Sequence, residues 1–211
     1  RLSMHTRVVL STTFALLLFG TLLLKLTENI SWLGAFFYSV SARTAGFSTY
    51  NLGDFSTAGL LVVSGLMFIG ASPASTGGGI KTTTFFVLLS GIYSAATSHS
   101  ERAFHSAIPK DAFRKASVIS MLAVFLVMTA SYLMLIFDPQ LSLRDVLFEM
   151  ISAFSTSGLS TGITPQLSAP SRILSILMMY IGRLGPLTVA SLWYFTIGER
   201  VRYPEGTIAI G

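Results

Sequence analysis

One short stretch occurs twice in this chain: Thr44-Ala45-Gly46-Phe47-Ser48-Thr49 and, 112 positions later, Thr156-Ser157-Gly158-Leu159-Ser160-Thr161. The same offset aligns Met67-Phe68-Ile69-Gly70 with Met179-Tyr180-Ile181-Gly182. Each copy is a polar, glycine-centred segment between long apolar runs. A repeat of this length indicates that the chain consists of two equivalent structural units.

A polar segment between apolar runs can place backbone carbonyls along a water-filled path at membrane depth. A cation that loses its water needs such oxygens. Gly46 and Gly158 permit the unusual dihedral angles that turn carbonyls towards an axis. One copy alone would equally suit a simple turn, but two copies in register favour an ion filter. The predicted filter residues are Thr44, Ala45, Gly46, Phe47, Thr156, Ser157, Gly158 and Leu159.

The composition predicts a multi-pass membrane protein, because 52% of the residues are hydrophobic and only 11% are charged. The chain has no cysteine, which excludes disulfides and thiolate metal sites. Its net charge of +5 is spread between the apolar runs and forms no basic stripe, so we expect no nucleic-acid partner. The three histidines lack metal-ligand spacing, and no nucleophile–base set is present. We predict that the protein is not an enzyme.

The first unit is predicted over residues 1–97. It contains a spanning helix over 8–26, a short re-entrant helix over 32–40, the first filter copy, an exit loop over 50–55 and a second span over 57–97. As one straight helix, this last run would be about 60 Å long, about twice the hydrocarbon thickness. Proline and three consecutive glycines within residues 70–79 predict a break there.

The second unit is predicted over residues 116–198, after a polar cytoplasmic connector over 98–115. It contains a span over 116–137, a re-entrant helix over 143–154, the second filter copy, an exit loop over 162–170 and a span over 173–197, followed by a tail over 199–211. The predicted fold is thus all-α integral membrane, with two tandem parallel M1–P-loop–M2 units. Two filter copies make half of a four-unit, pseudo-fourfold pore. A second chain could complete it, but the chain opens with Arg1, which favours a missing N-terminal half.

The basic residues predict the orientation in the membrane. Since each unit has two spans, both units begin on the same side, which receives Arg1, Arg7, Arg102, Lys110, Arg114, Lys115, Arg200 and Arg202. The opposite side receives Lys25, Arg144 and Arg172. We therefore expect the N-terminus of this chain, the connector and the C-terminus to be cytoplasmic, and the filter to open outward from the cell membrane.

Three motifs resemble the last two units of the Trk/Ktr/HKT potassium transporters: the first filter copy, the stretch over 70–82 and Gly182-Arg183-Leu184-Gly185-Pro186-Leu187-Thr188. Tyr203-Pro204-Glu205-Gly206 and the short tail most resemble the membrane subunit of the bacterial Ktr type. The resemblance implies potassium uptake, often sodium-stimulated, by a homodimer that a cytosolic nucleotide-binding ring controls. Na⁺ is then a candidate coupling or activating ion. One glycine per copy, where TVGYG has two, predicts a looser filter that prefers potassium.

The broken segment is the predicted gate, because the resemblance implies a loop directly below the filter and small residues rearrange at little cost. A simple glycine–proline hinge is the alternative. The predicted gate residues are Gly70, Ala71, Ser72, Pro73, Ala74, Ser75, Thr76, Gly77, Gly78, Gly79, Lys81 and Arg183. Arg183 lies 11 residues into an apolar span. We expect it either to bind loop carbonyls around Ser72 to Thr76 and hold the pore closed, or to set the energy of the cation below the filter, rather than to snorkel. For Lys81, snorkelling to the cytoplasmic interface is an equal alternative.

Other charged residues carry weaker signals. Arg43 precedes the first filter copy and could pair with a neighbouring helix or loop. Asp54 and Glu149 could attract cations at the outer mouth, although an ordinary capping or interface role is favoured. Two further function classes stay open, namely an alternating-access cation carrier, with which parallel repeats and a broken helix are also compatible, and a non-conducting membrane assembly subunit.

Overall fold

The computed structural model describes residues 3–97, 102–104, 106–185 and 188. Within them the fold is helical. The helices are α1 (Met4–Thr27), α2 (Trp32–Ser41), α3 (Thr57–Phe68), α4 (Thr82–Thr97), α5 (Lys110–Phe137), α6 (Leu143–Ser155) and α7 (Ala169–Leu184). Two 3-10 turns lie at Leu52–Asp54 and Thr164–Gln166, and the connector forms a small antiparallel hairpin of β1 (Arg102–Ala103) and β2 (Ser106–Ala107).

Both halves of the chain contain the same elements in the same order. A long helix is followed by a short helix, a 3-10 turn and another helix. The turn at Leu52–Asp54 and the start of α3 recur at the repeat offset, as Thr164–Gln166 and the start of α7. Within each half, the long helix packs on the short one, and α3 packs on α6 to join the halves. The sequence repeat is therefore also a structural repeat.

Helices α1 and α5 are long and apolar enough to cross a membrane. Only 22% of the most apolar part of α1 and 28% of that of α5 are buried. Large side chains such as Phe14, Phe19, Met121 and Phe125 are exposed. A core helix of a water-soluble protein would bury such residues, so this surface matches hydrocarbon better than water.

The predicted break in the second span is present, because α3 ends at Phe68 and α4 begins at Thr82. Two other predicted boundaries are wrong. The connector is shorter than predicted, since α5 begins at Lys110 after Pro109 and carries Asp111 in its first turn. The polar composition of residues 110–115 hid this first turn.

The last helix begins earlier than the predicted start at residue 173, and nearly all of residues 186–197 of that predicted span lie outside the described part of the chain. Helix α7 begins at Ala169, because Ser168 occupies the N-cap and a proline stands in the first turn. It ends at Leu184, because Gly185 adopts a φ of 89° at the C-cap. The predicted tail over 199–211 lies outside the described residues.

One acidic residue after the long helix of each half binds the N-cap serine of the helix that follows the exit loop, namely α3 or α7. The Glu28 carboxylate accepts hydrogen bonds from the backbone N–H (2.9 Å) and hydroxyl (2.6 Å) of Ser56. In the second half, Asp138 accepts the same pair of bonds from Ser168, at 3.1 and 2.9 Å. The hydroxyl of Ser171, followed by the groups of Ser168, lowers the pKa of Asp138 from its usual value.

We expect Asp138→Asn to lower the melting temperature of the complete subunit at neutral pH, because the charged acceptor at the start of α7 is lost. The pKa of Asp138 is depressed in the folded state, so its contribution is present above the unfolded pKa of about 3.9 and is lost as the pH falls through the folded value. Thermal unfolding against pH measures this. The difference from wild type should shrink below about pH 4, and a difference that stays constant down to about pH 2 would contradict this role of the Asp138 carboxylate.

Candidate ion-conduction site

The two glycine-centred loops lie directly against each other. Loop 44–49 follows α2, and loop 156–161 follows α6. A Cβ atom on Gly46 would overlap the carbonyl oxygen of Ser157, and a Cβ on Gly158 would lie 3.9 Å from the Cα of Gly46. The contact is therefore made by backbone, and it tolerates no side chain at Gly46.

Both loops share an unusual backbone conformation. The φ angles are 74° at Thr44 and 78° at Gly46, and 53° at Thr156 and 90° at Gly158. A positive φ is uncommon outside glycine, and it is strained for a β-branched residue such as threonine. The same strain at the same repeat positions indicates that the conformation has a function.

Tyr38 holds the first loop from behind. Its side chain is fully buried, and its hydroxyl accepts hydrogen bonds from the N–H groups of Thr49 (3.2 Å) and Tyr50 (2.8 Å) and lies 2.7 Å from the Tyr50 carbonyl. The Ser41 hydroxyl donates to the carbonyl of Phe47 at 2.5 Å. One buried tyrosine thus orders the exit of the loop. The signal in the sequence was a phenol within an otherwise apolar, re-entrant segment.

Glu149 has the corresponding role in the second loop. It is only 9% exposed, so it lies behind the loop rather than at an open outer mouth. Its carboxylate accepts a short hydrogen bond from the Ser160 hydroxyl and another, at 3.4 Å, from that of Thr164. A cavity of about 430 Å³ adjoins this side of the loop. Asp54, the other acidic residue singled out, belongs to the 3-10 turn of the first exit loop.

Arg144 joins the outer ends of the two halves. From the first turn of α6 its guanidinium donates to the carbonyls of Gly53 (3.2 Å) and Phe55 (3.4 Å) in the first exit loop. It also forms an ion pair with Asp145 at 3.3 Å. In the sequence Arg144 counted only as an outward-facing charge, because its partners lie about ninety positions earlier in the chain.

The broken segment between α3 and α4, residues 69–81, lies against the beginnings of both loops. Its ends are joined by a bridge between Ile69 and Ile80. The N–H of Gly78 donates to the Thr156 hydroxyl at 2.9 Å. The Lys81 ammonium donates to the carbonyl of Gly77 at 2.5 Å, within the segment itself.

Arg183 belongs to the last turn of α7, and its side chain is exposed. Among the described residues its side chain makes no hydrogen bond to the carbonyls of the broken segment, although it is close enough to Lys81 for the two like charges to interact. The neighbouring Gly182 packs against the carbonyl of Phe154 so closely that a Cβ atom would overlap it.

The sequence profile of the TrkH family, described as a cation transport protein, matches residues 4–196. The chain belongs to this family. It is 38% identical to the Ktr system potassium uptake protein B of Vibrio alginolyticus, over 100% of this chain and 49% of that protein. It is 33% identical to the Bacillus subtilis protein of the same name, over 99% and 50%, and 31% identical to the potassium/sodium uptake protein NtpJ of Enterococcus hirae, over 100% and 51%.

A solved structure has the same fold. The potassium transporter TrkH from Vibrio parahaemolyticus superposes with a TM-score of 0.72, at 18% identity, over 90% of this chain and 44% of that one. The chain spans about half the length of the curated relatives that it matches.

We expect Tyr38→Phe to reduce the free energy of unfolding by about 1 kcal/mol, because the backbone N–H groups of Thr49 and Tyr50 lose the acceptor that the Tyr38 hydroxyl provides. Thermal melting of the complete, detergent-solubilised subunit measures the loss. Tyr132→Phe is the matched control, since Tyr132 is 65% exposed on α5. Equal melting temperatures for the two variants would contradict the supporting role of Tyr38.

Proposed function

We propose that the complete protein takes up potassium ions across the cell membrane through a pore, and that loops 44–49 and 156–161 form two sides of its selectivity filter. One observation carries the proposal. Two loops at equivalent repeat positions meet through backbone and share positive φ angles at Thr and Gly. The family membership and the names of the relatives support potassium as the transported ion.

The filter binds the ion with main-chain oxygen. A dehydrated cation needs several oxygens in place of its water, and carbonyl groups supply them without a fixed negative charge. In a β-strand, successive carbonyls point to opposite sides of the chain. Because φ changes sign at every second residue of each loop, successive carbonyls can instead point to the same side, towards the ion. The proposed ligands come from Thr44, Ala45, Gly46, Phe47, Thr156, Ser157, Gly158 and Leu159. The threonine hydroxyls add oxygens at the inner end.

The short helices support a re-entrant arrangement. Helix α2 has 10 residues and α6 has 13, so they extend about 15 and 20 Å and cannot cross a bilayer. Each ends immediately before a filter loop, where the negative end of its dipole favours a cation. We therefore assign M1–P-loop–M2 to α1, α2 and α3–α4 in the first unit, and to α5, α6 and α7 in the second.

The rest of the transporter follows from the same proposal. Two further units, from the remainder of the subunit or from a second chain, complete a ring of four. The excess of Lys and Arg orients the start of this chain, the connector and the C-terminus towards the cytoplasm. From the family resemblance we also propose that the subunit forms a homodimer, that a cytosolic nucleotide-binding ring controls it, and that Na⁺ is an activating ion. The name of the Enterococcus relative, a potassium/sodium uptake protein, agrees with a role for Na⁺.

The broken segment is the proposed gate. It comprises Gly70 to Gly79 together with Lys81, and it lies below the proposed filter. Most of its side chains are small, so that it can rearrange at little steric cost. Arg183 belongs to the gate through its charge beside Lys81 rather than through bonds to loop carbonyls. Unwound backbone at membrane depth is tolerated only where it is buried in protein or lines water, which suits a segment in the conduction path.

An alternating-access carrier is the second candidate, because the broken helix is also typical of carriers. Recording from the complete protein in a planar bilayer separates the two, since unitary currents require an open pore and slow, saturable exchange indicates a carrier. A non-conducting assembly subunit would have no need for strained threonines at two equivalent positions.

We expect Gly46→Ala to abolish the preference for potassium over sodium, or transport altogether, because the methyl group would overlap the carbonyl of Ser157 and the positive φ disfavours alanine. Uptake of rubidium and sodium by cells that depend on the complete transporter measures this. Gly65→Ala is the matched control, since a Cβ at Gly65 would meet nothing within 4 Å. Unchanged uptake and selectivity in Gly46→Ala would refute the filter and favour an assembly role.

A further inference from the structure

The segment 69–81 is attached near each end to the residue that directly precedes a filter threonine. Near its start, the Arg43 guanidinium donates to the carbonyl of Gly70 at 3.3 Å. Near its end, the N–H of Gly78 donates to the carbonyl of Ser155 at 3.1 Å, as well as to the Thr156 hydroxyl. Arg43 precedes Thr44 as Ser155 precedes Thr156, so the two attachments occupy equivalent repeat positions.

The segment also fits closely against the filter between these attachments. A Cβ atom on Gly77 would lie 2.6 Å from the Thr44 hydroxyl oxygen, and one on Gly78 would lie 2.7 Å from the carbonyl oxygen of Phe154. Neither position has room for a side chain. The segment therefore touches both filter copies at their inner ends.

Away from these contacts the segment is loosely held. Its tip, residues 74–76, is exposed, and Ala74 has a positive φ of 65°. Within the described residues, the backbone bond of the tip is that from the Ser75 N–H to the carbonyl of Ser72, at 3.2 Å. The bridge between Ile69 and Ile80 and the Lys81–Gly77 bond close the segment on itself, whereas the contacts at Gly70 and Gly78 attach it to the two loops.

Arg43 is an unusual group to find here. Its side chain is half-buried, and its Nε is buried without a hydrogen-bond partner in the described part of the chain. A carboxylate would normally accompany a buried arginine, yet no described Asp or Glu pairs with it. The bond from its Nη2 to Gly70 is the side-chain hydrogen bond that the structure records for it.

We propose that Arg43 is a positioning residue that holds the intramembrane segment against the filter, so that the gate and the innermost ion site move together. The inference rests on the proposed function. If the segment leaves the pore axis, the Arg43–Gly70 and Gly78–Thr156 bonds break. Because the Thr156 hydroxyl belongs to the filter, release of Gly78 changes the oxygens that the inner end offers to a cation.

Cysteine accessibility tests the proposal, since this chain contains no native cysteine. Ala71→Cys places a thiol beside Gly70, at a half-buried position of the segment, in the complete subunit with any cysteine outside this chain replaced by serine. A small, water-soluble thiol reagent is applied to inverted vesicles, whose cytoplasmic side faces the solution. Arg43→Gln should raise the labelling rate about tenfold or more, as expected for the loss of one charge-assisted hydrogen bond.

Two further variants sharpen the comparison. Arg43→Lys keeps the positive charge and can still donate to one carbonyl, so it should raise the labelling rate by a smaller factor than Arg43→Gln. If Arg43→Gln disturbs folding, the labelling rate of Arg43→Lys is compared with that of the control instead. Arg114→Gln is the matched control, because it removes one positive charge from an exposed position on α5, far along the chain from the segment. Its labelling rate should equal that of Ala71→Cys alone.

Labelling rates in both Arg43 variants equal to that of Arg114→Gln would overturn the proposal. Rubidium uptake by the same vesicles separates this failure from that of the proposed function. If the vesicles take up rubidium but the Arg43 variants are labelled at the control rate, the pore stands and the positioning role of Arg43 is wrong. Altered labelling without any uptake, even in the background protein, removes the pore and keeps Arg43 as the residue that positions the segment.

Discussion

The structure depends on the close approach of two backbones, where Gly46 meets the carbonyl of Ser157. No side chain fits between them, and both loops take up positive φ angles at threonine as well as glycine. Such strain costs of order 1–3 kcal/mol at each residue and persists only where the surroundings over-determine it. The rest of the fold can be understood as the means by which two polar loops are held in this conformation between apolar helices.

Three sets of contacts provide that support, and each acts at a different level. Tyr38 and Glu149, on α2 and α6, hold the outer ends of the loops from behind. Arg144 fastens α6 to the first exit loop. At the inner ends the broken segment between α3 and α4 makes contact with both Thr44 and Thr156. A pore with these supports would be rigid around the ion and adjustable below it.

Much of the fold was predictable because it is periodic. The repeat of 112 positions and the apolar runs locate α1, α2, α3 and α6 closely, and the glycines mark the loops and the break. The partners of Arg144 were not predictable, since they lie about ninety positions earlier in the chain and leave no local pattern. Tyr38 was visible as a phenol in a largely apolar segment, but nothing in the sequence identified Thr49 and Tyr50 as its partners. The end of α7 was predictable but overlooked, because Gly185 followed by Pro186 is a typical helix end, and Gly185 has a positive φ there.

In the proposed pore, main-chain oxygens of the two loops bind a dehydrated monovalent cation. Anomalous diffraction from crystals of the complete subunit grown in rubidium would locate this ion. We expect a rubidium peak on the axis beside Gly46 and Gly158, with the surrounding carbonyls directed at it. A transport-competent protein whose only rubidium peaks lie away from these loops, or whose loops enclose no common passage, would contradict the proposed pore.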